Sequence, residues 1–234
     1  MRCTLRPGAE MSEKDTYRGT VFAVSQEAPY LRIQIGDINP SWKGHEPGQF
    51  ANWRLDDGGP KAYRPFTMVR FDQSEGTLEF WADTSYQGRA TQYLCQLEPG
   101  SQVEFLGPVG SYKLLEDQRT APAVFIGNSV GLAPLVGMAA AAWHEGANRL
   151  TVIHEPAGDG AFPASWVAEV LQPQEGIDIR LGVVGSALSA LDSIELPHGA
   201  CAYLCGGGDL ITKAQERLKE RGVPESHIVT EKFW

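Results

Sequence analysis

The stretch Tyr63-Arg64-Pro65-Phe66-Thr67-Met68-Val69-Arg70 puts a cation, a proline of fixed φ, a flat aromatic and a hydroxyl into four consecutive positions, Arg64 to Thr67. Its β-forming residues alternate at period two, the pattern of a strand. A strand with that set can hold a ligand that is anionic at one end and planar at the other. A dinucleotide flavin is such a ligand.

Outward from it, five more segments alternate in the same way: Tyr17 to Val24, Tyr30 to Ile35, Gln49 to Leu55, Thr77 to Ala82 and Gln102 to Leu106. Turn residues separate them, as in Glu46-Pro47-Gly48, Asp57-Gly58-Gly59-Pro60 and Glu98-Pro99-Gly100, where glycine and proline supply the dihedrals that turns need. Short strands at this spacing predict a small antiparallel barrel of Greek-key type over 16–117. Only Gly88 to Leu97 reads as a helix there.

Beyond residue 118 the period changes. Ala121 to Ile126 is a continuous apolar run, and Val130 to Glu145 is an alanine-rich helix. Strands follow at Leu150 to Ile153, Ile177 to Leu181 and Ala202 to Cys205, with helices at Ser165 to Leu171 and Leu210 to Arg221; Ile228-Val229 closes the sheet. Alternating strands and helices predict a parallel sheet over 118–234, an α/β nucleotide-binding domain with an aromatic tail.

The chain has 234 residues, 42% hydrophobic and 21% charged, enough for two domains with ordinary cores. A net charge of −9 argues against nucleic acid or anionic membrane as partners. No segment has the length of apolar sequence that spans a bilayer. Residues 1–15 read as a flexible tail without the apolar core of a secretory signal, with Met11 a candidate natural start. The four cysteines, Cys3, Cys95, Cys201 and Cys205, form no C-x-x-C pair, and the five histidines, at 45, 144, 154, 198 and 227, show no metal spacing and read as surface or turn residues. No metal is expected, and a reducing cytoplasm is the expected compartment.

Three turns are candidates for anion binding. Gly127-Asn128-Ser129-Val130-Gly131 leads from strand to helix, with Pro134 in the first helical turn, and offers free N–H groups at the positive end of a helix dipole. Cys205-Gly206-Gly207-Gly208 makes a second such turn with no bulky side chain at the sheet's carboxyl edge, where open α/β sheets bind ligands. Gly88-Arg89-Ala90-Thr91 opens the one helix of the barrel. Each also has a purely geometric reading, and none matches G-x-G-x-x-G. The chain closes on Glu231-Lys232-Phe233-Trp234, whose aromatics can cover a flat ring or bury a strand end.

Taken together, Arg64-Pro65-Phe66-Thr67, Gly88 to Thr91, Gly107-Pro108-Val109-Gly110, Gly127 to Pro134, Cys205-Gly206 and Glu231 to Trp234 resemble, in order and distance, the ferredoxin-NADP reductase family over Tyr17 to Trp234. Glu46-Pro47-Gly48-Gln49-Phe50 resembles its P-G-Q-F strand start. The resemblance implies FAD and a nicotinamide nucleotide as cofactors. It places Arg64 and Gly88 to Thr91 on the pyrophosphate, Pro65 and Phe66 against the flavin, and Thr67 near the reactive N5. It places Gly127, Asn128, Ser129, Val130, Gly131, Cys205, Gly206 and Gly207 around the nicotinamide nucleotide, with Cys205 and Glu231, like Thr67, as candidate catalytic residues. Phe233 or Trp234 would cover the flavin or fold against the adenine.

This chain departs from that pattern at Asn128-Ser129-Val130, where Gly-Gly-Thr is usual, at Asp83, where a basic residue is common, and at Gly207, where proline is usual. His154 to Gly160 is acidic and lacks a cation for a 2′-phosphate, which favours NADH over NADPH, although a basic residue from elsewhere, Arg180 for one, could supply it. The resemblance implies an oxidoreductase that takes hydride from NAD(P)H and passes electrons to a small acceptor (ferric chelate, flavin or quinone) or to a redox protein. A ferric-siderophore reductase is the alternative within that class. A non-catalytic flavin- or nucleotide-binding regulatory module is the alternative outside it, motivated by the bulkier Asn128-Ser129-Val130 turn.

Overall fold

The computed structural model describes residues 16–39, 42, 44–56, 62–156, 160, 162–172, 175–182 and 187–233. The predicted tail, part of the acidic segment after Ile153, and Trp234 lie outside the described residues.

Six strands, β1 (Thr16–Glu27), β2 (Tyr30–Gly36), β3 (Phe50–Leu55), β4 (Ala62–Asp72), β5 (Thr77–Asp83) and β6 (Gln102–Val109), close a barrel in the order β1-β2-β5-β4-β3-β6. All its pairings are antiparallel. The meander β3-β4-β5 with β2 returning beside β5 is the Greek-key arrangement the sequence predicts. Alternation drives it: Trp53, Phe80 and Phe105 point inward and pack edge-on at 4.8 to 6.3 Å between ring centroids, while Val21, Ile33, Ile35, Met68 and Leu78 complete the filling. The predicted barrel helix is shorter than expected, α1 (Arg89–Leu94).

Five parallel strands, β7 (Ala123–Asn128), β8 (Leu150–Glu155), β9 (Ile177–Arg180), β10 (Cys201–Gly207) and β11 (Ile228–Phe233), form a sheet in the order β11-β10-β7-β8-β9. The first of these starts later than the apolar run because Pro122 has no N–H to give the ladder; its carbonyl accepts the Cys201 N–H at 2.9 Å. Helices α2 (Leu132–His144), α3 (Ala164–Leu171), α4 (Ala187–Ser193) and α5 (Gly208–Glu220) cover the sheet. The strands β7, β8 and β10 serve two cores: Phe125, Val152, Tyr203 and Cys205 face α2 and α3, whereas Val124, Ile126, Ile153 and Leu204 face α4 and α5. Strands buried on both faces explain the unbroken apolar runs. Helix α4 was not predicted, and α2 begins at Leu132 behind a 3₁₀ turn, Ser129–Gly131.

Helix α2 is apolar nearly all round because it lies between the sheet and the barrel, with every residue from Leu132 to Ala139 buried. It meets β4 so closely that a Cβ on Gly137 would overlap the Val69 carbonyl oxygen. Beside it, Tyr30 and Trp81 of the barrel pack on Phe162 and Trp166 of the α3 segment at 4.5 to 6.2 Å. A polar network crosses the same interface. Glu79, 2% exposed, accepts from Arg32, Arg70, Gln34 and the Trp81 indole, and Arg32 reaches Glu169 of α3 at 2.6 Å. Burying those charges costs solvation that this many partners offset.

Gly137→Val is expected to lower the unfolding free energy by about 2 kcal/mol, since the helix must retreat from β4. Urea unfolding at neutral pH measures it, and an unchanged midpoint would contradict the close approach.

Candidate active site

The barrel side of the site is an interrupted ladder. From Leu55↔Ala62 to Phe50↔Thr67 the strand β4 pairs with β3, but its pairing with β5 starts only at Met68↔Phe80. Among the described residues, Ala62 to Thr67 therefore have one edge without a neighbouring strand, and backbone groups there need other partners. Arg64 stands on this edge, exposed, with one hydrogen bond to the Tyr63 carbonyl at 2.9 Å and no ion pair among the described residues. Pro65 is exposed; Phe66 is half-buried, edge-on to Trp53 at 5.7 Å. Thr67 is half-buried opposite Phe50.

The segment that leaves β5 bonds to itself. Asp83 Oδ1 accepts the Ser85 N–H and hydroxyl at 2.8 and 2.6 Å, and the Thr91 hydroxyl donates to the Tyr86 carbonyl at 2.6 Å. Thr91 thus shapes the loop, while the first-turn N–H groups of α1 have no intrahelical acceptor. A Cβ on Gly88 would meet nothing within 4 Å, leaving open space at the helix start. Tyr63 and Tyr86 are 40% and 62% exposed. An exposed guanidinium with no ion pair among the described residues, unladdered backbone groups, open space before Gly88 and exposed aromatic faces form a set that fits FAD: charge for the pyrophosphate and flat apolar surface for the rings.

The sheet side of the site is the topological switch point, between β7 and β10, where open α/β sheets bind ligands. Strand register brings the predicted residues together there: Gly127 pairs with Cys205, Cys205 with Glu231, and Gly207 with Phe233. Both turn glycines are required by close packing. A Cβ on Gly127 would stand 2.7 Å from Leu135 Cδ1 and 2.8 Å from the Cys205 carbonyl oxygen, and one on Gly131 would overlap that same oxygen. Val130 packs half-buried against the core, and Phe233 is half-buried as the last residue of β11.

The turn is fastened from three sides. Asn128 Oδ1 accepts the Gly207 N–H at 2.9 Å. The Ser129 hydroxyl donates to Asp83 Oδ2 of the barrel, and Ser129 holds φ at 48°. The Ser129 carbonyl lies 3.0 Å from His154 Nε2, which must carry the proton to donate to it. His154 is fully buried in β8, not the surface or turn residue that sequence predicted, and burial lowers its pKa to about 4, so it stays neutral. His45 is likewise largely enclosed, its pKa lowered by burial to about 4. Sequence reasoning missed the role of His154 because a lone histidine carries no local signal; its place directly beside Gly127 follows only from the sheet register.

Charge is scarce at the floor of the site. Burial, and then the Glu231 carboxylate, push the Cys205 thiol well above its ordinary pKa, so it is a thiol and not a thiolate. Burial also raises the pKa of Glu231. The Tyr112 hydroxyl, enclosed with them, has no hydrogen-bond partner among the described residues, and burial, with Cys205 and Glu231, raises its pKa well above the usual value.

A barrel with an open cationic edge facing a doubly wound sheet defines the class of two-part flavin and nicotinamide-nucleotide proteins. Residues 20–114 match the family described as the oxidoreductase FAD-binding domain. It is 24% identical over 222 residues to the propane 2-monooxygenase reductase component of Rhodococcus jostii (strain RHA1), covering 87% of this chain and 59% of that protein. It is 24% identical over 182 residues to the dihydroorotate dehydrogenase B (NAD(+)) electron transfer subunit of Geobacillus thermodenitrificans (strain NG80-2), covering 76% and 70%. The fold matches the ferredoxin reductase in carbazole 1,9a-dioxygenase with a TM-score of 0.79 at 18% identity, over 94% of this chain and 69% of that one. The chain thus spans about three fifths of the length of the propane monooxygenase relative. Among the described residues no helix is long and apolar enough to cross a membrane.

Two expectations follow. Arg64→Ala loses about 2 kcal/mol of FAD affinity, the worth of a charged hydrogen bond, read by titrating apoprotein with FAD; unchanged affinity would remove Arg64 from the site. His154, neutral in the fold at a pKa lowered to about 4 against about 6.5 unfolded, contributes stability that is full above pH 6.5 and lost as pH falls toward 4. His154→Gln should flatten that decline by roughly 3 kcal/mol in denaturant unfolding across this window, and parallel curves for the two proteins would contradict it.

Proposed function

We propose that this chain is an FAD-dependent oxidoreductase that takes hydride from NADH and passes the electrons to a protein partner. The observation that carries the reading is the linkage of the two half-sites by α2. The helix starts at the Gly127–Gly131 turn, and Gly137, about 9 Å along its axis, touches Val69, two residues past Thr67 on the open edge of β4. The nucleotide turn and the flavin strand are therefore held on one rigid element.

In this reading Arg64 and the α1 start hold the FAD pyrophosphate, and Phe66 and Thr67 flank the flavin. The 127–131 and 205–207 turns receive the nicotinamide nucleotide. FAD, when bound, supplies hydride acceptance and electron release; the protein supplies orientation and exclusion of water. Cys205 contributes a neutral, close-packed wall at the transfer path, and Glu231, its pKa raised, is the group placed to exchange a proton there. The division into 16–117 and 118–234 is part of the same proposal; the link between Val109 and Ala123 crosses it in a 3₁₀ turn, Glu116–Gln118.

Two observations support NADH. Glu155 ends β8, next to the switch point, with its carboxylate accepting the Ala187 N–H at 2.6 Å; an acid there repels a 2′-phosphate. Arg180, the candidate counter-cation, is engaged by Asp178 at 2.8 Å and Ser193 at 2.6 Å. The acceptor is assigned to the protein class because the relatives act, by name, as a reductase component and an electron transfer subunit. A net charge of −9 further selects a partner that is itself less acidic than this chain. A reducing cytoplasm is the compartment proposed; Cys95, Cys201 and Cys205 are free thiols.

Anaerobic mixing tests the reading. The yellow holoprotein should bleach with NADH, with kcat/KM at least about tenfold above that for NADPH, one 1.4 kcal/mol step in transition-state binding. A strong NADPH preference overturns the nucleotide assignment, and flavin that stays oxidised with both nucleotides overturns the reductase and leaves a binding module.

A further inference from the structure

The end of β7 is tied to the end of β10 by a single side chain. Asn128 Oδ1 accepts the Gly207 N–H at 2.9 Å, and the amide stands where a side chain on Gly206 would project. A Cβ there would overlap Oδ1 and come within 3.2 Å of Cγ. Gly206, at φ 143°, is in a region that favours glycine and leaves that space to Asn128. Because Asn128 ends β7 and Gly207 ends β10, the amide spans the switch-point crevice itself. The turn that follows it is held in place: the Ser129 hydroxyl bonds to Asp83, the Ser129 carbonyl to His154, and Gly131 packs on the Cys205 carbonyl. The Asn128 side chain can move without breaking these contacts.

We propose that Asn128 is an affinity-setting residue that occupies part of the nicotinamide-nucleotide site in the free protein, so that seating the nucleotide requires its amide to leave the Gly207 N–H and the crevice. The proposal rests on the function proposed above. The chain satisfies the Gly207 donor by itself, and a ligand entering the crevice competes for both the space and the donor. Once released, the Gly207 N–H, at the N-cap of α5, is available to the ligand's own acceptors. The bulk of Asn128 thus sets how tightly the nucleotide is held.

Calorimetric titration of NAD+ into the FAD-loaded wild type and into Asn128→Ala tests this, together with amide hydrogen exchange at Gly207 in the two free proteins. Asn128→Ala should bind NAD+ about three- to tenfold more tightly, the range of one net hydrogen bond, and its Gly207 amide should exchange faster. Equal or weaker binding by a folded, FAD-loaded Asn128→Ala overturns the proposal, because a purely structural or ligand-contacting asparagine gives that result. Asn128→Thr, shorter and still polar, replaces it if the alanine variant does not fold, and tighter binding is again the expected result. NAD+ binding by neither protein overturns the nucleotide site as a whole, which separates failure of the functional reading from failure of this inference alone.

Discussion

Glycine at position 137 lets the backbone of α2 rest on the Val69 carbonyl, and any side chain there would hold the helix off β4. That approach fixes more than one contact. It places an apolar helix between two sheets, so that Val69, Tyr30 and Trp81 of the barrel share one core with Phe125, Val152 and Tyr203 of the parallel sheet. Separated, either half would expose an aromatic surface, Tyr30 and Trp81 on one side and Phe162 and Trp166 on the other, of the kind that monomeric proteins rarely leave uncovered. The Arg32–Glu79–Glu169 bridge runs across the same seam. Its geometry fixes a relative position more than it adds stability, since desolvation offsets most of the Coulomb gain.

The same packing changes what the glycines of the nucleotide turn mean. Their sequence signature invites a ligand reading, yet Gly127 and Gly131 are glycine because the turn presses on the Cys205 carbonyl and Leu135, and Gly206 because Asn128 lies against it. A ligand is not needed to explain any of the three. What points to a ligand is the set of groups left open to solvent: the exposed Arg64 guanidinium, bonded to the carbonyl of its own neighbour Tyr63, the edge of β4 that no strand covers among the described residues, and the space in front of Gly88. Groups that the protein leaves unsatisfied carry functional information that tightly packed ones do not.

Much of the fold was legible in the sequence because its signals are local. Period-two strands, turn glycines and the switch to buried apolar runs give the six barrel strands, the parallel sheet and all helices except α4. The misses are of two kinds. Boundaries moved where capping and proline decide them, as at Ala123 and Leu132. Long-range partners stayed invisible: nothing near Asp83 in sequence announces Ser129, and nothing near His154 announces its carbonyl partner. The residues Gly127, Cys205 and Glu231 could be named from motifs, but their adjacency is a property of the β7-β10-β11 register. Departures from a motif were the more informative residues. Asp83 and Asn128 both proved to be tethers of the turn, one from the barrel and one from β10.

The electrostatics at the floor of the site follow from that tethering. Cys205 has no exposed surface, its pKa is raised by burial and by Glu231, and Tyr112 is enclosed beside it without a hydrogen-bond partner among the described residues. Two of these three groups are therefore held neutral, and the third, Glu231, is biased toward its neutral form by burial. For Glu231 the sign is that of a raised pKa: its contribution to stability is full below the unfolded carboxyl value and is lost as pH rises through the folded one. Burial and the Glu231 carboxylate both favour the thiol at Cys205, the less nucleophilic form. A neutral floor instead suits the transfer of a hydride between two flat rings, where a fixed negative charge would bias one redox state of the acceptor over the other. With one half-buried carboxyl as its adjustable element, such a floor permits a proton to follow the electrons without stranding a charge in the core.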